Sequence, residues 1–181
     1  MFSEITVEVL CTFDEAARII EARGFSFSHR YKMHDTYWAT ICHIDRTYKE
    51  LIERSFLVRE FDDNYGNRIT YKRKIFDEND NVISEQKTDC VITDVVAANK
   101  IFAQVKLNNW ITKKADLIIY TKDGVEVCFQ IIDCLGIFIE IEQEDCKNIS
   151  KLITFAKSLG LPLGDDFHLK LPYLLYLKNN P

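Results

Sequence analysis

The chain predicts an α+β fold of roughly eight antiparallel strands and several helices, a set that can curl into a β-barrel with the helices packed on its outside. Roughly eight stretches alternate apolar and polar residues with the period of two that a strand imposes. Helical stretches fall between them, and hairpin turn chemistry joins several strands directly, so a doubly wound parallel sheet is not indicated. Many of the polar strand positions are charged, in phase along each strand, as a sheet curled around a polar bore requires.

The elements follow in order. "VEVL" alternates, with Val7 and Val9 on one face and Thr6, Glu8 and Leu10 on the other. "TFDEAARIIEARG" reads as a helix, with Thr12 and Glu15 as a capping box, an apolar face of Phe13, Ala16, Ala17 and Ile20, and Gly24 as its stop. "FSFSHRYKMHDTYWAT" is strand-like and "HIDRTYKELIERS" a short helix. "SFLVREFDD" and "RITYKRKIFD" are strands joined by "NYGN", and "ENDN" turns the chain into "VISEQKTDCVIT". Asp94 caps a helix over "VVAANKIFAQVKLNN", and "ITKKADLIIYT" and "VEVCFQIIDCLG" are strands around "KDG". "LGIFIEIEQE" is the last strand, "CKNISKLITFAKSLG" a helix ended by Gly160, and "DDFHLKLPYLLYLKNN" a tail.

Composition bounds the function. A chain of 181 residues, with no proline between Met1 and Leu161, is read as one domain over 1–181. A net charge of −5 argues against a nucleic-acid-coating surface, and no apolar run is long enough to span a bilayer. The opening residues lack a basic region followed by an apolar core, so no secretory signal is expected. The six cysteines form no CxxC pair and have no histidine at zinc-finger spacing, which points to reduced thiols in the cytoplasm.

In "LGIFIEIEQE", Ile137, Ile139 and Ile141 share one face while Phe138, Glu140 and Glu142 share the other, the carboxylates about 7 Å apart. Arg59 lies between Leu57 and Phe61, while Thr70, Lys72 and Lys74 share a face. Lys113 and Lys114 open a later strand. Each such face taken alone is a solvated half of an antiparallel sheet. Taken together they fit a barrel whose apolar face looks outward to the helices and whose charges line the lumen. Burying so many charges demands pairing or bound ions. Cations on some walls and carboxylates on another suit a metal-bound polyphosphate.

These residues resemble the CYTH superfamily, the triphosphate tunnel metalloenzymes, most of all its class IV adenylyl cyclase branch. "LGIFIEIE" resembles that family's LGxFxEIE, "HDTYWAT" its second-strand DxYFD, and "FLVRE" with "RITYK" the strand pair that supplies its basic residues. "LPYLLYL" is similar to the terminal SYxxLL of the cyclases, with Pro172 in place of the serine. The resemblance implies an eight-stranded tunnel, dependence on Mg²⁺ or Mn²⁺, a nucleotide or other triphosphate as substrate, and a homodimer. It implies metal binding by Glu8, Glu140 and Glu142, triphosphate binding by Arg59, Lys72, Lys74 and Lys113, and catalytic parts for Glu8, Lys72 and Glu140. Against the ExExK motif the chain has Thr6, Glu8 and Leu10; Gln86 and Ala115 replace arginines and Gln130 a metal-binding aspartate.

Two functions follow. One is a class IV adenylyl cyclase or tripolyphosphatase; the other is a catalytically impaired module that binds a nucleotide or phosphorylated ligand without turnover. A structural or partner-binding domain is a third, blander reading. "DENDN" at Asp77–Asn81 lacks the glycine and closing glutamate of a calcium loop, so a hairpin turn is expected there.

Overall fold

The computed structural model describes residues 2–39, 48–62, 66–78, 82–144 and 149–180. Its elements are β1 (Phe2–Glu8), α1 (Phe13–Ala22), β2 (Ser26–Ala39), α2 (Tyr48–Ile52), β3 (Arg54–Phe61), β4 (Arg68–Phe76), β5 (Val82–Val91), α3 (Val95–Gln104), β6 (Asn108–Lys122), β7 (Val125–Ile132), β8 (Gly136–Glu144), α4 (Ile149–Ser158) and α5 (Leu171–Asn179). The eight strands pair antiparallel, β1 with β8, β8 with β7 and β7 with β6 in one set and β2 with β3, β3 with β4 and β4 with β5 in another, the curled antiparallel sheet the sequence predicts. The turns at 64–67 and 78–81 both lie partly outside the described residues.

Two compact units are built on these strands, one from residues 1–31 with 115–170, the other from 32–114 with 171–181. In the first, β1 pairs antiparallel with β8, with Glu4 opposite Glu142, Thr6 opposite Glu140 and Glu8 opposite Phe138. β8 pairs in turn with β7, and β7 with β6. Alternation gives one face of this sheet to Ile5, Val7, Ile118, Tyr120, Val127, Phe129, Ile139 and Ile141, and α1 and α4 pack on it through Ala16, Ile20, Leu152 and Ala156. Phe129 is fully buried, edge-on to both Phe13 and Tyr120. Thr12 and Glu15 close the expected capping box at the start of α1. The carboxylates of β1 and β8 fall on the other face, away from these helices.

The second unit repeats this logic. α3, capped by Asp94, packs on Trp38, Val58, Phe56 and Ile69. Register then sends Asp35 and Tyr37 of β2, Leu57 and Arg59 of β3, Thr70 and Lys72 of β4, and Lys87 and Asp89 of β5 to the opposite face. The sheet is inside out in each unit: hydrocarbon lies beneath the helices and charge on the other side.

Helix α5 is the element the sequence does not signal. It has no single apolar stripe: Leu171 and Leu175 are buried, whereas Leu177 is exposed. Pro172 sits in its first turn, where a missing N–H costs nothing.

Replacing Phe129 by alanine removes a fully buried side chain on which α1 packs through Phe13. The expected loss is about 3–5 kcal/mol of unfolding free energy, measured by urea denaturation of the variant against the parent protein.

Candidate functional site

Among the described residues, the charged face of the second unit carries six cations: Arg59, Arg68, Lys72, Lys74, Lys87 and Lys113. Three carboxylates share it, Asp35, Glu85 and Asp89. Asp35 is fully buried and takes both arms of Arg59, Nε to Oδ1 at 2.7 Å and a terminal nitrogen to Oδ2 at 2.8 Å. Burial acts to raise its pKa. The Arg59 charge and hydrogen bonds, with the charges of Lys113 and Lys72, outweigh that and hold the carboxyl below its usual range. Lys113 is itself buried.

Glu85, 3% exposed, is the second hub. Lys72 Nζ lies 3.1 Å and Lys87 Nζ 3.6 Å from its Oε1, and Lys74 Nζ bonds Oε2. Thr70 donates to Asp89. Above them the guanidinium of Arg68 sits 5.0 Å over the Phe61 ring, and that of Arg59 5.9 Å.

The first unit holds the acidic counterpart. Single carboxylate oxygens of Glu4, Glu140 and Glu142 all lie within 4.8 Å of one another. Gln130 donates its amide to Glu140 at 2.6 Å, and Lys170 Nζ stands 3.5 Å from Glu4. Three hard oxygen donors gathered this closely fit Mg²⁺ or Mn²⁺, which complete their shells with water or phosphate oxygens.

Of the sequence-predicted residues, Arg59, Lys72, Lys74 and Lys113 therefore share one face of the second unit, and Glu140 and Glu142 come together in the first. Glu8 stands outside that trio. It is exposed at the end of β1, beside Gly136 and Gly164, and Glu4 occupies the place it was given. The physical reason is the strand's extent: β1 spans Phe2–Glu8, so a motif laid over Thr6, Glu8 and Leu10 runs off its end. Leu10 is 60% exposed and lines nothing. Shifting the motif back by four residues keeps Glu4 as its central glutamate and puts Thr6 at the lysine position. Gln86 is exposed on the opposite face of β5, so the in-phase cation is Lys87. Ala115 is buried and brings no charge.

Glu4, Asp35, Glu85, Lys87 and Lys170 were absent from the predicted site. For Glu85, Lys87 and Asp89 the signal was present in the sequence: they alternate in phase with Lys74, Lys72 and Thr70 across one hairpin.

No protein-family model and no curated protein matches the chain. Solved structures do. The PH1012 protein from Pyrococcus horikoshii OT3 superposes with a TM-score of 0.71 at 20% identity, over 93% of this chain and 97% of that one. A Hippeastrum protein, named as a candidate adenylyl cyclase with a dominant triphosphatase activity, reaches 0.63 at 14% identity over 99% and 96%. A Vibrio parahaemolyticus protein, named as a candidate adenylate cyclase, reaches 0.62 at 13% identity over 88% of each chain. At these identities the likeness establishes the fold, and it is the CYTH-like α+β tunnel fold.

Asp35→Asn should cost about 3 kcal/mol at neutral pH, because Arg59 keeps its charge and loses its counter-charge. Its folded-state pKa is depressed, so the stabilisation is complete above the unfolded value near 3.9 and is lost as pH falls through the folded one. Urea unfolding from pH 7 down to the acid limb should show the parent protein losing stability below about pH 4 and the variant losing less over the same range.

Proposed function

We propose that this protein binds a triphosphate, as nucleotide or tripolyphosphate, in a metal-dependent manner, and turns it over as a triphosphatase or a class IV-type adenylyl cyclase. One observation carries the reading: an acidic chain gathers six cations against three carboxylates on one largely shielded face. Cations gathered this closely suit an anionic ligand, and a polyphosphate offers charge at the matching density. The solved structures named for cyclase or triphosphatase activity support this choice among the functions the fold can host.

Arg59 presents a guanidinium already oriented by Asp35, suited to paired phosphate oxygens. Lys72, Lys74, Lys87 and Lys113 supply point charges on flexible stems, which follow a phosphate chain. Glu4, Glu140 and Glu142 would hold Mg²⁺ or Mn²⁺. Such an ion, when bound, neutralises phosphate charge and activates water for a hydrolase. Positioning and charge stabilisation are the chain's own contribution to phosphoryl or nucleotidyl transfer.

Binding without turnover is the second reading. It is favoured by Gln130, whose amide occupies an oxygen of Glu140 where the resemblance expects a metal-binding aspartate. Four described cysteines, Cys11, Cys90, Cys128 and Cys134, are free thiols, which supports a reducing, cytoplasmic setting. No described helix is long and apolar enough to cross a membrane.

Melting curves with tripolyphosphate and ATP, each with and without Mn²⁺, test the proposal together with assays for phosphate, pyrophosphate and cyclic AMP. Stabilisation by ligand is expected, with product. Lys72→Met should weaken ligand binding about tenfold or more. Glu140→Gln should abolish the Mn²⁺ effect while leaving metal-free tripolyphosphate binding in place. Stabilisation without any product would select the binding module, and no stabilisation by any of these ligands would overturn both readings.

A further inference from the structure

Glu85 is given no ligand to contact in the reading above, yet it sits at the centre of the lysine cluster. Its carboxylate is almost wholly shielded, and Lys72, Lys74 and Lys87 converge on it from two neighbouring strands. Register explains the convergence. Lys74 is directly opposite Glu85, and Lys72 directly opposite Lys87, so the four side chains form a two-by-two block on one face of the β4–β5 pair. Cross-strand partners stand about 5 Å apart and next-but-one neighbours on a strand about 7 Å, so three ammonium groups reach one carboxylate at the centre. A carboxylate presents two anionic oxygens to these donors, much as a phosphoryl group presents its oxygens.

We propose that Glu85 is a resident counter-anion of the phosphate site: it occupies the ammonium groups of Lys72, Lys74 and Lys87 and yields them to an incoming polyphosphate. This rests on the triphosphate-binding reading and adds what governs selection at that site. With Glu85 already on the lysines, an entering anion must bring more charge than the carboxylate it replaces. Inorganic phosphate, sulfate and the carboxylates of small metabolites gain little from that exchange. A tripolyphosphate chain gains much, because it can contact several ammonium groups at once and Arg59 besides. Glu85 also keeps the lysine block assembled between ligands, since three ammonium groups at these distances repel one another across a shielded surface. The two hubs differ in this. Asp35 grips Arg59 through two well-formed bonds and orients it, whereas Glu85 divides two oxygens among three flexible donors.

The experiment is calorimetric titration of the full-length protein with sodium tripolyphosphate and with inorganic phosphate, without metal and then with Mn²⁺, alongside melting curves. Three proteins are compared: the parent, Glu85→Gln and Glu85→Asp. Glu85→Gln should melt lower than the parent without added anion, and tripolyphosphate should raise its melting temperature by more than it raises the parent's. Its affinity for tripolyphosphate should be about tenfold tighter or more, and binding of inorganic phosphate should become measurable. Glu85→Asp keeps the charge but draws it back by one methylene, so it too should bind tripolyphosphate more tightly than the parent, though less so than Glu85→Gln. An aspartate variant with parental affinity would show that Glu85 acts only as background charge and would overturn the proposal. So would a glutamine variant that binds no tighter than the parent. Should Glu85→Gln fail to fold, the aspartate variant decides alone. A parent protein that does not bind tripolyphosphate at all removes the triphosphate reading itself, a result distinct from parental binding that is insensitive to Glu85.

Discussion

Aliphatic packing under the helices decides where the charges of this protein go. Ile5, Val7, Ile139 and Ile141 lie beneath α1 and α4, and Trp38 and Val58 beneath α3. Side chains alternate along a strand, so committing one face to helices commits the other to whatever the intervening positions carry. Here those positions are glutamates on β1 and β8, and lysines and arginines on β3 and β4. An ordinary sheet leaves its polar face to water. Asp35, Glu85 and Lys113 are buried instead, and each is tolerable only because charges of opposite sign surround it.

Within that frame the two kinds of cation behave differently. Arg59 is fixed by a fork of two hydrogen bonds from a buried acceptor, a geometry a lysine cannot copy. The lysines gather around one carboxylate without directional partners of that quality. The acidic trio is also partly answered from within, by the Gln130 amide on Glu140 and the Lys170 ammonium on Glu4. Any cation that binds these glutamates works against both, so the same contacts that hold the carboxylates in place without metal weaken metal capture.

The parts legible in the sequence were those with a local physical mark. The α1 capping box, Asp94 at the head of α3, and the division of β8 into an isoleucine face and a glutamate face are all fixed by neighbours within a few residues. Phase along a strand was equally legible; absolute position was not. Glu4, Thr6 and Glu8 lie on one face whichever end of β1 is taken as its start, so periodicity cannot choose between Glu4 and Glu8; pairing with β8 does. At Gln86 the error was a single residue, and a single residue in a strand exchanges the faces, which is why Lys87 and Glu85 escaped notice. Helix α5 escaped for the opposite reason, since its apolar residues fall on no one stripe.

Thr6 shows how the site relates to the motif it departs from. With the motif moved onto β1, a lysine belongs at position 6, and the chain has a buried threonine. The segment after α4 runs along β1 at this point: Thr6 N–H donates to Phe167 C=O, Leu169 N–H donates to Thr6 C=O, and Gly164 N–H donates to Glu8 C=O. The same clasp delivers Lys170, nine-tenths buried, to within 3.5 Å of Glu4. The positive charge missing from the strand thus reaches its glutamates from a segment more than 160 residues away in sequence.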